Sequence, residues 1–164
     1  MFLFHGSYFH QPNREAIDLV RDYIAPEISE AFFIIAGTDV PIFNQNNIKS
    51  VGFIDDIYSL MQIVDIAIVP IYSGGGTRLK ILDYMIMGLP IVTTKKGIEG
   101  INAKNMENAL IVDKVNEKFI DSIRYLIKNK DLRERMRKNN RRLVEEYSSD
   151  VIGEKLNKLY SKIG

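Results

Sequence analysis

Six short apolar runs, four to seven residues each, alternate with longer stretches of helical periodicity, and this alternation constrains the fold more than any other feature of the chain. The runs are FLFH at 2 to 5, AFFIIAG at 31 to 37, IKSVG at 48 to 52, DIAIVPI at 65 to 71, PIVTT at 90 to 94 and NALIVD at 108 to 113. Near-continuous apolar runs of this length mark strands buried on both sides. The stretches between them read as helices: one opened by Pro12 and Asn13 and running to about Ile24, with Pro26 helping to stop it, a short one after Asp55, and one entered from the glycines at 74 to 76 and ending at Gly88. Helices follow the last run at roughly 115 to 128, 131 to 147 and 151 to 162. Strand and helix in succession predict an α/β fold, a doubly wound parallel sheet covered by helices on both faces, with residues 1 to 164 as a single domain. Ligands of such sheets bind beyond the carboxyl ends of the strands, where the strand order reverses. Four loops are therefore of interest: His5 to Asn13, Val51 to Asp56, Ile71 to Thr77 and Thr94 to Gly100.

Charge and composition exclude several classes of function. Lysine and arginine number 22 against 21 acidic residues, so no global basic field points to nucleic acid. The absence of cysteine removes a disulfide framework, a thiolate zinc site and a cysteine nucleophile together. The opening apolar run is too short for a signal peptide, and no other run nears the roughly 18 residues of a membrane span. A soluble, cytoplasmic chain is expected, with peripheral contact at the inner face of the membrane as an option. That option comes from Lys128 to Arg142, a run with eight basic and two acidic residues, which reads either as a solvated helix face or as an attraction to anionic lipid. No aromatics interleave in it, which disfavours nucleic acid as a partner.

The stretch SGGGTRLKILDYMIMGLP at 73 to 90 carries the most chemistry. Glycines 74, 75 and 76 let backbone N–H groups approach an anion, the open N–H groups of a helix start point at it, and Thr77 offers an N-cap or a hydroxyl. Arg78 and Lys80 stand in the first turn, where a cation loses about 0.3 to 1 kcal/mol against the helix dipole. A charge-assisted hydrogen bond to phosphate returns about 1.5 to 3 kcal/mol, so the two cations make sense when the site is filled. The pattern Gly-x4-Gly-Lys-Ser/Thr is absent, and the glycines follow a late strand, so NTPase and dehydrogenase readings both weaken. Asp83, three residues beyond Lys80, shares its helix face and could accept ribose hydroxyls or form an ion pair with Lys80; spacing leaves both open. Leu79, Leu82, Met85 and Ile86 read as core.

Asp55 and Asp56 follow a strand and read as helix caps, with an acidic metal or phosphoacceptor pocket as the alternative. His5 and His10 have no carboxylate or thiolate at ligand spacing, and no Asp-x-Asp occurs, so no metal site and no cofactor are expected.

Four segments resemble one family: GSYFHQPNREAI at 6 to 17, FIIAG at 33 to 37, VGFIDD at 51 to 56 and, most specifically, GGGTRLKILDYMIMGLPIVTTKKGIEGI at 74 to 101. They are similar to the C-terminal, donor-binding half of family-4 retaining glycosyltransferases (glycosyl transferases group 1) of the GT-B fold. The resemblance implies a Rossmann-like domain that binds a nucleotide-diphosphate sugar, UDP- or GDP-linked, for transfer to an acceptor held mostly by an N-terminal half. That half has no counterpart in the chain, so an N-terminal acceptor domain or separate subunit is the implied partner, and the lone chain is expected to bind donor without efficient transfer. Asp83 matches the second glutamate of the family's Glu-x7-Glu motif, which binds ribose. Gly76 and Thr77 would meet the diphosphate, Phe53 lies where backbone atoms meet the base, and Glu99 borders the donor pocket. Gly6, Ser7 and Asn13 belong to the loop that faces the donor.

Two positions depart from the family pattern. The first motif glutamate is replaced by Gly75, and Ser7 and Asn13 stand where arginine and lysine are expected. Arg78 and Lys80 are therefore assigned the displaced positive charge and the catalytic role of neutralising the leaving diphosphate. Two other readings remain: a solitary nucleotide-sugar-binding subunit that needs a partner half, and a receiver-like signalling module using Asp55, Asp56 and Lys95 or Lys96.

Overall fold

The computed structural model of the chain describes residues 1–75, 78–145 and 147; the expected helix at 151 to 162 lies outside them, as do Gly76 and Thr77. The first apolar run forms β1 (Phe2–His5), followed by α1 (Gln11–Leu19), which widens into a π-helical stretch at Val20–Ile24 and closes with one turn, α2 (Ala25–Glu27). The chain continues through β2 (Phe33–Ala36), β3 (Asn44–Gln45), β4 (Ile48–Gly52), α3 (Ile57–Ile63) and β5 (Ile66–Val69). It ends, in the described residues, with α4 (Leu79–Ile86), β6 (Ile91–Thr94), β7 (Ala109–Val112), α5 (Glu117–Lys128) and α6 (Lys130–Glu145).

All seven strands join one sheet in the order β3-β4-β2-β1-β5-β6-β7. Every pairing is parallel except β3 with β4. All four residues of β2, of β5 and of β6 are buried, so both faces of the central sheet are covered, which is why these strands lack a polar alternate. Phe2 stacks on Phe33 at 5.0 Å between centroids, and Phe119, Ile120, Ile123 and Leu126 turn the apolar face of α5 inward. β2 and β4 extend the sheet on one side of β1, β5 to β7 on the other. The order therefore reverses at β1, and the crevice beyond the carboxyl ends of β1 and β5 is where a ligand of this fold belongs.

Several expectations need correction. Pro26 does not stop the first helix: the chain is continuously helical from Gln11 to Glu27, with the π-helical stretch at Val20–Ile24 directly before Ala25 and the proline, and the helix ends one residue after it. The stop comes from Asn47, whose side-chain amide donates to the carbonyls of Ala25, Ile28 and Ala31 at 2.8 to 2.9 Å. The asparagine-rich loop contains β3, a two-residue antiparallel edge strand. Of the residues read as core in α4, Met85 is buried, but Leu79 and Ile86 are exposed, at 69% and 49%. The basic run on α6 is not simply a solvated face, since Arg133 donates to the carbonyls of Leu126 and Ile127, Arg135 to Met106 and Arg137 to Asp65. No helix among the described residues is long and apolar enough to cross a membrane.

Candidate functional site

The loops after β1 and β5 meet at the crevice and are tied together. Gly74, at a φ of +77°, lies against Pro12 at the start of α1 so closely that a Cβ would stand 2.6 Å from the proline Cγ; only glycine satisfies both demands. Ser73 donates to Glu15 at 2.6 Å, which holds the Glu15 carboxyl below its usual range. Arg78 folds back on its own loop, donating to the carbonyl of Ser73 at 2.9 Å and to that of Gly75 at 3.3 Å, while its buried Nε finds no partner among the described residues. Arg78 occupies the N-cap position of α4 without a side-chain cap, and no acidic side chain stands in the first turn. The helix start is thus open to an anion.

Lys80 reaches across to α1. Its ammonium donates to Asn13 Oδ1 at 2.6 Å and lies 4.2 Å from the centre of the Phe4 ring, and Asn13 in turn donates to the carbonyl of Ser7 at 2.9 Å. No ion pair to Lys80 forms among the described residues. Burial first, and the charge of Arg78 second, push the amine from its ordinary 10.5 down to about 7. The ion pair with Asp83 that the spacing allowed is not made. Asp83 instead accepts from the Tyr58 hydroxyl on α3 at 2.9 Å, and its other oxygen lies 3.9 Å from His5 Nε2.

His5 ends β1 beneath this carboxylate. Its backbone N–H donates to the buried Tyr84 hydroxyl at 2.9 Å, and the two rings meet edge to face at 5.0 Å. Burial, then the charge of Lys80, push its imidazole down to about 4, so the ring is neutral at pH 7. His5, Gly6 and Ser7 also line a cavity of about 200 Å3 with Gly37, Phe53 and Ile57. The crevice therefore runs from this cavity past Asp83 to Lys80 and the start of α4.

Of the residues expected at a site, Gly6, Ser7, Asn13, Phe53, Gly75, Arg78, Lys80 and Asp83 border this crevice or its loops. Glu99 lies within reach of the charge of Arg78 and makes its own ion pair outside α4. Its carboxylate pairs with Lys96 at 2.7 Å, and that bond, followed by the charges of Lys96 and Arg78, holds it below the usual range. The receiver-like pocket is not assembled: Asp56 caps α3 through the N–H of Ser59 at 3.1 Å, Lys95 pairs with Asp113 and Lys96 with Glu99. Tyr58 and Gly37 were not expected at the crevice, and His5 was expected there only as the first residue of a loop of interest, with no role of its own. The position of His5 as the last residue of the first strand was the available signal; the partners of Tyr58 arise only from tertiary packing.

A doubly wound sheet with an anion-suited crevice at its switch point defines a Rossmann-like type of α/β domain. The family profile of glycosyl transferases group 1 matches residues 1–129, and the chain belongs to that family. No curated protein matches it. Among solved structures, the C-terminal domain of the glycosyl transferase group 1 family protein LpcC from Francisella tularensis is 20% identical over 90% of this chain and 85% of that one, with a TM-score of 0.71. A glycosyltransferase from Rickettsia africae is 19% identical over 99% of this chain and 47% of its own, with a TM-score of 0.76. The Anabaena protein HepE, crystallised with UDP and with UDP-glucose, is 14% and 15% identical in the two structures, which share 98% coverage of this chain, 48% of their own, and TM-scores of 0.76 and 0.75. The fold is that of the Rossmann-like C-terminal domains of GT-B glycosyltransferases, and the chain spans about half the length of the Rickettsia and Anabaena proteins.

Proposed function

We propose that the chain is the donor-binding half of a family-4 retaining glycosyltransferase of hexosyltransferase type, holding a nucleotide-diphosphate sugar that is UDP- or GDP-linked. The observation that carries this reading is the Lys80 ammonium, delivered from α4 to Asn13 at 2.6 Å where the β1 and β5 loops meet. Asn13 stands where the family places a cation, so Lys80 supplies from the opposite loop a charge that the β1 loop lacks. The diphosphate lies between Lys80, the loop of Gly75, Gly76 and Thr77, and the start of α4, with the ribose at Asp83 and the base beside Phe53. An acceptor hydroxyl attacks the anomeric carbon as the diphosphate leaves with retained configuration, and fixed cations and dipoles stabilise the leaving charge. Phe53, exposed, lines the crevice cavity, and exposed Phe9, Tyr72 and Leu79 stand in the loops after β1 and β5 and at the start of α4, which suits a face covered by an N-terminal acceptor half.

Protein groups, not a metal, meet the phosphate charge in this reading. Titration of the chain with UDP-glucose is therefore expected to give the same affinity, within about twofold, in EDTA and in magnesium. A strict divalent requirement would contradict it, because Lys80, Arg78 and the helix start would then be insufficient.

A further inference from the structure

Asp83 presents its two oxygens to different surroundings. Oδ1 accepts from the Tyr58 hydroxyl at 2.9 Å, while Oδ2 faces His5 Nε2 across 3.9 Å. That separation is too long for a direct hydrogen bond. Two hydrogen bonds of about 2.8 Å meeting at one hydroxyl oxygen at about 90° leave their outer atoms about 4 Å apart, so the gap is close to the span of one bridging hydroxyl, at the narrow end of its range. His5 Nε2 is buried and has no partner among the described residues, and a polar atom left in that state is costly. The gap borders open surface, with the Asp83 side chain 29% and that of His5 18% exposed and His5 lining the neighbouring cavity with Gly6, Ser7 and Phe53. Nε2 itself is closed to solvent, so a hydroxyl enters with a small shift of one of the two side chains.

We propose that His5 Nε2 and Asp83 Oδ2 together bind a single ribose hydroxyl of the nucleotide, with Tyr58 as the positioning residue that fixes the carboxylate. The hydroxyl donates its proton to Oδ2 and accepts one from His5, whose neutral ring carries its proton on Nε2. Tyr58 takes up Oδ1, which leaves Oδ2 as the acceptor turned toward β1. The proposal rests on the reading of Asp83 as the ribose-binding carboxylate and adds to it a second, neutral group.

The test is calorimetric titration of the purified chain with UDP, 2′-deoxy-UDP and 3′-deoxy-UDP. Wild type is expected to prefer UDP over one deoxy analogue by about tenfold, the size of a lost hydrogen bond to a charged group. His5→Phe keeps a ring against Tyr84 but removes both nitrogens, and is expected to shrink that preference to about twofold or less; His5→Gln, which restores an N–H donor, keeps most of it. Tyr58→Phe lowers the preference without abolishing UDP binding. Asp83→Asn separates the two readings. If His5→Phe keeps the full preference while Asp83→Asn removes it, the role of His5 is overturned and the ribose reading stands. If Asp83→Asn also keeps it, the ribose reading fails and takes this proposal with it. A measurement on wild type alone guards against a variant that does not fold: the nitrogen-15 resonance of His5 Nε2 should shift with UDP and not with the discriminating deoxy analogue, and equal shifts with both would overturn the proposal.

Discussion

Replacing Lys80 by methionine is expected to weaken UDP-glucose binding about 10- to 100-fold, the range of a charge-assisted hydrogen bond of about 1.5 to 3 kcal/mol. The same change is expected to raise the melting temperature of the ligand-free chain. The amine is held at about 7 against an ordinary 10.5, so between those values the unfolded chain binds one proton more than the folded one. The contribution of Lys80 to stability therefore rises with pH from about 7 to 10.5 and is a penalty below that window. Methionine keeps the packing against Phe4 and removes the penalty. Opposite signs for binding and stability distinguish a cation held in place for a ligand from one that holds the fold together.

A pH dependence follows for binding. Below about pH 7 the ammonium is in place before the ligand arrives; above it, binding must draw in a proton, against the neighbouring charge of Arg78. The affinity of wild type for UDP-glucose, whose pyrophosphate has no group titrating near neutrality, should fall up to about tenfold per pH unit above 7, and that of Lys80→Met should not follow. Titrations at pH 6.5, 7.5 and 8.5 check this. A wild-type profile parallel to that of the variant would remove Lys80 from the phosphate site.

The largest effect on stability is expected at Gly37. It follows β2 with a φ of +149°, and a Cβ there would lie 2.6 Å from the carbonyl carbon of Gly6 and closer still to its oxygen. Neither strand end can yield, since Gly6 N–H donates to Ala36 at 2.9 Å and Gly37 N–H to Gly52 at 2.8 Å. Gly37→Ala must push β1 from β2 at the wall of the crevice, at about 3 kcal/mol or more. That corresponds to a fall of about 10 °C in melting temperature for a chain of this size. Gly75 is the internal control, because a Cβ there meets nothing within 4 Å and Gly75→Ala should change little. A fall of under about 2 °C for Gly37→Ala would show that the close approach to Gly6 is not enforced.

What could be read from the sequence was whatever depends on local burial. β2, β5 and β6 are apolar at every position or satisfy their polar side chains internally, as Thr93 does by donating to the Val69 carbonyl, so their runs marked them directly. β3 carried no such mark, being two exposed residues held by pairing with Ile48 and Lys49. The end of the first helix depends on Asn47, some twenty residues downstream, which is why Pro26 was a misleading signal. Lys80 and Asp83 stood out by charge and spacing, but their directions did not. Asn13 lies 67 residues before Lys80 and Tyr58 lies 25 before Asp83, and these distant partners, not the helix they share, decide where each charge points.

The central claim, that the crevice beyond β1 and β5 holds a nucleoside diphosphate, is tested most directly by thermal shift. The chain is melted with UDP, GDP, ADP and their sugar conjugates at millimolar concentration, and with uridine and orthophosphate as separated fragments. At least one nucleoside diphosphate should raise the melting temperature, since a ligand at about 100 times its dissociation constant adds roughly 2.7 kcal/mol, whereas the fragments should do so weakly or not at all. If every diphosphate left the melting temperature unchanged, the crevice would not be a donor site.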